Sequence, residues 1–418
     1  MCSGIRERAK MESSTGRWVS GENFFGRESE LSILEQRVLD GNHTLLTGQR
    51  RMGKTSIVRE LGRRLEADNW IFLFADVEGA SSAEDVVADI AQAAHPIRPI
   101  SSRLQSAMRR LFSETVEEVG ALEFRIKIRA GLNTGNWRRH GEQLLRDCAG
   151  QEQRVLLVID ELPIFLNNLL SSEDGARQAR EFLSWMRAAF QGLDSRSPVL
   201  VVSGSIGLQP LVRRLGIPDR INYLDPLRLG PWDRDTCIAC FNLLAENYRL
   251  RIEDGVAAAA YDALGLGIPH HVQSFFARLR EFAIMNGRSL LTKKDVETVF
   301  STVLLGPSGQ NDLVHYESRL KDTLGADNHK IAMEILAEAA TQGSFSRSAE
   351  NSLEDLYAPV IADVKSHILD VLDVLVHDGY LEPMHSGYSF PSRLLKEWWA
   401  ARFRDHYTSL EQRWNERH

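Results

Sequence analysis

The sequence predicts an α/β protein organised on a parallel sheet, and three observations predict it. Apolar runs of strand length alternate with stretches at helical spacing through the first half of the chain. A glycine-rich turn, Gly48-Gln49-Arg50-Arg51-Met52-Gly53-Lys54-Thr55, joins the run Leu45-Leu46 to a helix over 56–65. An acidic pair, Asp160-Glu161, ends the run Val155–Ile159. In a doubly wound sheet, ligands gather at the carboxyl ends of the strands, and both features fall there.

Composition sets the outer limits. With 418 residues the chain is too long for one ordinary core, so two or three domains are expected. Hydrophobic residues at 43% and charged residues at 26% are ordinary for a globular protein. A net charge of −7 argues against a protein that coats nucleic acid over its whole surface, while leaving local basic patches open. Cys2, Cys148, Cys237 and Cys240 show no disulfide-framework spacing, which points to a reducing compartment and a cytoplasmic protein. No apolar run approaches a bilayer span, so no membrane is expected. Residues 1–21 are polar and mixed in charge, unlike a signal peptide, and read as a flexible tail.

The turn fits G-x-x-x-x-G-K-[ST], a phosphate-binding loop. Gly48 and Gly53 supply backbone angles that a side chain forbids, and successive amides face the phosphate oxygens. Lys54 is expected to neutralise the β and γ phosphates, and Thr55 to offer its hydroxyl to Mg²⁺. The positive end of the helix that includes Ser56 then faces the anion. Across the sheet, Asp160 is the candidate to hold Mg²⁺ opposite Thr55, and Glu161 to orient or deprotonate the attacking water. Together these residues imply nucleotide hydrolysis.

The remaining elements follow in order. Leu31, Leu34 and Val38 recur at helical spacing after Phe24 and Phe25. A strand is expected over 70–77, a helix over 81–95 and a strand over 198–205. Between them, residues 96–140 hold nine basic against four acidic residues, and Leu122–Arg129 alternates apolar and charged side chains, a strand with one wet basic face. This insertion tracks a nucleic-acid backbone or an acidic partner, or its face is simply solvated. Cys237, Cys240, Phe241 and Leu244 fall on one helix stripe, so the C-x-x-C pair reads as buried thiols. His270 and His271 are helix neighbours and do not face one ligand. Residues 306–311 read as a linker, and the helices and hairpin beyond it suggest a winged helix.

A family resemblance rests on Phe25-Gly26-Arg27-Glu28-Ser29-Glu30-Leu31, about twenty residues before the G-x-R-R-x-G-K-T-S loop. The chain resembles the archaeal-type P-loop ATPases of the AAA+-like group, which includes the STAND switch ATPases and the origin-recognition initiators. The resemblance implies an AAA+-like domain with a parallel sheet, a helical lid and a C-terminal winged helix, at 22–228 (basic insertion about 96–140), 229–306 and 307–418. It implies ATP and Mg²⁺ as ligands, with Phe25 and Arg27 bordering the base and Arg50, Arg51, Met52 and Ser56 completing the loop. Pro269, in Gly267-Ile268-Pro269, is similar to the lid proline that packs on adenine. Ser205, in Ser203-Gly204-Ser205, is the expected γ-phosphate sensor, ahead of Ser203, and Arg213 and Arg214 are candidate γ-phosphate arginines. The function implied is a slowly hydrolysing switch whose ATP or ADP state controls domain arrangement and the binding of a protein partner or a second copy. A DNA-binding initiator or transposition-type regulator and a non-hydrolysing scaffold are the alternatives. DNA is not expected on the recognition helix, where Asp363, Asp370, Asp373 and Asp378 face only Lys365.

Overall fold

The computed structural model describes residues 11–97, 120–193, 197–204, 207–403 and 406–417. Contacts group the chain into two units: a sheet unit of Trp18–Gly48 and Lys54–Leu229, and a C-terminal unit of residues up to Arg17, Gln49–Gly53 and Gly230 onward.

The sheet unit holds five parallel strands, β1 (Thr44–Thr47), β2 (Ile71–Asp76), β3 (Val155–Asp160), β4 (Val199–Ser203) and β5 (Asp225–Arg228), in the order β2-β3-β4-β1-β5. The two central strands β3 and β4 are buried at every position, because helices cover both faces of such a sheet. One set of alternate residues, Leu73, Val155, Leu157, Ile159, Leu200 and Val202, joins a single apolar core. That core is closed by helices α3 (Ala83–Ala94), α4 (Ala121–Gly131), α5 (Trp137–Ala149), α6 (Leu162–Leu170), α7 (Gly175–Gln191) and α8 (Leu208–Arg214). Before β1 lies α1 (Glu28–Asp40), whose buried face is Leu31, Leu34 and Val38, and after it α2 (Lys54–Ala67). The register sets Leu46 beside Ser203 and Ile159 beside Val202, so β1, β3 and β4 end level with one another.

Two expectations for this region are corrected. Leu122–Arg129 is helical, within α4, and not a strand. Phe124 and Ile128 are buried one turn apart, while Leu122 and Ile126 are 66% and 58% exposed. Its basic face is not free: Arg125 pairs with Asp89, Arg129 with Asp85, and Lys127 with Glu123 at 3.0 Å. Arg138 likewise meets Glu181 at 2.6 Å. The basic residues Arg98, Arg103, Arg109 and Arg110 lie outside the described residues. The expected tail is also ordered from residue 11 onward. Met11 is buried, the Ser14 amide donates to Gln273 Oε1 at 2.8 Å, and the Gly21 amide donates to Glu60 Oε2 at 2.8 Å.

The C-terminal unit is mainly helical: α9 (Arg234–Asn247), α10 (Val256–Leu264), α11 (Pro269–Met285), α12 (Lys293–Val299), α13 (Pro307–Gln342), α14 (Arg347–Tyr357), α15 (Val364–His377), α16 (Arg393–Phe403) and α17 (Leu410–Arg417). Strands β6 (Phe345–Ser346), β7 (Glu382–Met384) and β8 (Gly387–Ser389) make an antiparallel sheet in the order β6-β8-β7. Residues 306–311, expected as a linker, instead begin α13, with Pro307 at the first helical position where its missing N–H costs nothing. This helix is broken at Gly325, whose φ of 72° and ψ of 177° leave the helical region. Cys237 and Cys240 are buried thiols, in no disulfide, on the core face of α9.

Candidate nucleotide site

The parallel ladder delivers its chemistry at the level ends of β1, β3 and β4. After Thr47 the chain turns through Gly48 at φ 152°, where an added Cβ would meet the Leu229 carbonyl oxygen at 2.7 Å. Only glycine fits there. Arg51 and Gly53 also take positive φ, at 69° and 89°, and α2 begins at Lys54. Lys54 is buried and its ammonium donates to the Gly48 carbonyl at 2.7 Å, which folds the side chain back over the turn. The Thr55 hydroxyl donates to Asp160 Oδ2 at 2.8 Å.

Asp160 is 3% exposed, and its other oxygen accepts from the Ser203 hydroxyl and, at 3.1 Å, from the Glu161 amide. Burial and then the adjacent Glu161 charge push its carboxyl above the ordinary range, and hydrogen bonds from Ser203 and Thr55 with the charge of Lys54 pull back without cancelling this. Glu161 itself has φ 57°. A non-glycine residue in that region costs about 1 to 3 kcal/mol, so the turn re-aims the side chain at an energetic cost. Across from it, Pro163 approaches Gly204 so closely that a Cβ on Gly204 would lie 2.3 Å from the proline ring.

The residues present fit a magnesium-bound polyphosphate. A buried carboxylate whose hydrogen bonds come from hydroxyls and an amide, beside the Thr55 hydroxyl, is an oxygen donor set suited to a hard cation. The amino end of a 14-residue helix provides the anion side.

Comparison with known proteins agrees with this geometry. Residues 23–202 match the AAA ATPase domain family. The chain carries an AAA ATPase domain. The phosphate loop and the acidic strand end both lie within that matched segment, and the protein is an ATPase. Among solved structures, it is similar to a Walker-type ATPase of Pyrococcus abyssi, with a TM-score of 0.57 at 17% identity over 91% of this chain and 97% of that one. It is also similar to the ORC2 protein of Aeropyrum pernix, solved as ADPNP-ADP complexes, with a TM-score of 0.52 at 14% identity over 95% and 98%. At these identities the likeness is one of fold. No curated protein matches the chain in sequence.

The ATPase places the other candidates less uniformly. Phe25 is half-buried, and Arg27 is buried with its guanidinium on Glu30 at 2.6 Å. The Ser56 hydroxyl accepts from the Val19 amide at 3.1 Å, so it is engaged by backbone. Arg213 and Arg214 end α8 at exposed positions. Ser205 lies outside the described residues. Ser203, ranked behind it from sequence, is the hydroxyl that reaches Asp160. Asp76 is another residue that sequence reasoning passed over, paired across the ladder with Asp160. Only the register between strands reveals either, and register is not written in a single strand.

Within the C-terminal unit, Met52 is buried and Arg51 lies over the Tyr316 ring at 5.9 Å. Pro269 is buried at the start of α11. The next two residues are imidazoles, His270 half-buried and His271 buried: desolvation, then Arg51 and Arg50, bring His270 down to about 3, while burial holds His271 well below the usual range and its ring shares a 3.2 Å hydrogen bond with the Tyr316 hydroxyl. Both rings are therefore neutral at ordinary pH. Arg50 is half-buried.

Proposed function

We propose that this ATPase is a slow, magnesium-dependent switch whose ATP or ADP state sets how its two units are arranged and which protein partner, or second copy, they bind. The observation that carries the hydrolytic part is the 2.8 Å contact between Thr55 and Asp160, which brings the loop and the acidic strand end to one place. Lys54 neutralises the β and γ phosphates, and the amides of the loop and of the first turn of α2 cradle them. Thr55 and Asp160 would hold Mg²⁺, which would supply charge neutralisation for the polyphosphate. Glu161, turned out of the strand direction, orients water in line with the γ phosphate and accepts its proton. Ser203 fixes the Asp160 carboxylate, and Phe25, Arg27 and Pro269 are the candidate contacts for adenine.

The switch reading rests on the resemblance to the STAND ATPases carried by the loop and by Phe25–Leu31. A ligand in such a loop drives a rearrangement only by favouring one state over the other. We read α13–α16 with β6–β8 as a winged helix with a docking role. On α15 and its flanks Asp363, Asp370 and Asp373 are exposed, against Lys365 alone. The ion-paired arginines of α4 likewise give no support to a DNA-tracking role. The buried thiols, in no disulfide, fit a reducing, cytoplasmic setting.

The test is phosphate release by purified protein together with small-angle scattering. Release should require Mg²⁺ and fall about 100-fold or more in Glu161→Gln while nucleotide binding persists. With that variant, ATP and ADP should give different scattering profiles. Equal release by both proteins removes the assignment of Glu161, and identical profiles remove the switch.

A further inference from the structure

Within the C-terminal unit a cavity of about 510 Å³ opens on the second half of α13. Its volume lies within the roughly 300 to 1,000 Å³ of small-molecule sites. Beyond the break at Gly325, His329, Lys330, Met333 and Ala337 line the cavity from successive turns of the helix. Facing elements add the rings of Tyr357, Phe403 and Tyr407.

The polar capacity of this cavity is unevenly spent. Glu334, an acid on its lining, accepts both arms of the Arg413 guanidinium and the Tyr357 hydroxyl, the latter at 3.1 Å. The Tyr407 hydroxyl is also committed, donating to Glu338 at 2.8 Å. A saturated carboxylate offers little to a cationic guest. On the donor side, Lys330 meets Asp327 at 3.3 Å, and both are about two-thirds exposed, so that pair holds the ammonium weakly. Among the described residues, His329 Nε2 is buried without a hydrogen-bond partner, and burial lowers the pKa of its ring. His406 and Thr408 add an imidazole and a hydroxyl to the lining. What remains is uncommitted donor capacity beside aromatic and thioether surface.

We propose that this cavity binds a small planar organic anion, an aromatic carboxylate or sulfonate, with its ring against Met333, Phe403 and Tyr407 and its charge on Lys330. Such a ligand would act on the C-terminal unit independently of nucleotide, so its test stands apart from the ATPase reading. The probe is 1-anilinonaphthalene-8-sulfonate titrated into the full chain by fluorescence, with N-phenyl-1-naphthylamine as its counterpart lacking the sulfonate. One saturable site is expected, weakened about tenfold in Lys330→Glu and retained in Lys330→Arg, while the uncharged probe is indifferent to either change. Lys330 is exposed, so charge reversal leaves the packing of α13 in place. Circular dichroism and phosphate release should match the unsubstituted protein. Absence of saturable binding, or equal affinity for the sulfonate in Lys330→Glu, overturns the proposal.

Discussion

Two carboxylates in the sheet unit are almost equally hidden from water, Glu60 at 2% and Asp160 at 3% exposure, yet they are treated in opposite ways. Glu60 takes hydrogen bonds from Arg63 at 2.7 and 2.9 Å, from Arg64 at 3.1 Å and from the Gly21 amide at 2.8 Å. Burial pushes its carboxyl up, but those bonds and the Arg63 charge outweigh burial and hold it down at about 2. Asp160 receives two hydroxyls and one amide, and its carboxyl stays above the ordinary range. Glu60 is therefore neutralised from within the fold. The negative charge of Asp160 is stabilised less well, which is the arrangement a site needs if a cation is to complete it.

The comparison breaks most visibly at Asp160. Replacing it by Ala removes the carboxylate that faces Thr55 and leaves that hydroxyl without its acceptor. Phosphate release in saturating Mg²⁺ should fall about 1,000-fold, near 4 kcal/mol of transition-state stabilisation, with circular dichroism unchanged. A loss below tenfold would mean that the two carboxylates do not differ in function.

The contrast also explains what the sequence revealed. The loop from Gly48 to Thr55 and the Asp160-Glu161 strand end were legible because their chemistry needs fixed residue types at fixed spacing. Strands β2, β3 and β4 were legible as short apolar runs between turn signals. The segment Leu122–Arg129 misled because alternation over eight residues also repeats every four. Phe124 and Ile128 satisfy a helix as well as a strand, and Asp85 and Asp89, also one turn apart on α3, match Arg129 and Arg125 only when both segments are helical. Ser205 lies outside the described residues, and the contact of Ser203 with Asp160 was hidden for another reason. Which hydroxyl meets Asp160 depends on the β3–β4 register, a long-range fact with no local signature. Residues 11–21 looked mobile because polar composition does not reveal backbone amides that dock on Gln273 and Glu60.

A second, smaller effect is expected at Glu60. Glu60→Gln keeps the shape but loses the charge that Arg63 and Arg64 address. Because both arginines are partly exposed, at 53% and 37%, the cost should be modest, about 1 to 2 kcal/mol. Urea unfolding should show a lower midpoint with an unchanged slope. Phosphate release should hold near its original rate, since Glu60 is not placed at the nucleotide. In the unsubstituted protein the depressed Glu60 group contributes its stability in full above about pH 5 and loses it as pH falls from about 4.5 toward 2.

The smallest expected effect runs the other way. Asp160 has a raised folded pKa, so its protonated form is favoured by folding and its ionised form is disfavoured. Its contribution to stability is therefore present at low pH and is lost as pH rises through the carboxylate range to the folded value. At neutral pH without Mg²⁺ the ionised Asp160 is a net cost to the fold. Asp160→Asn keeps an acceptor for Thr55 while removing that charge, and should raise the melting temperature by about 1 to 3 °C in chelator-treated buffer. Adding Mg²⁺ with nucleotide should stabilise the unsubstituted protein and reverse the order, because only the carboxylate gains from the cation. Glu60→Gln should lower the melting temperature under both conditions. If Asp160→Asn proves destabilising in the absence of metal, Asp160 is paired as completely as Glu60, and the distinction between a carboxylate satisfied by the fold and one held for a ligand fails.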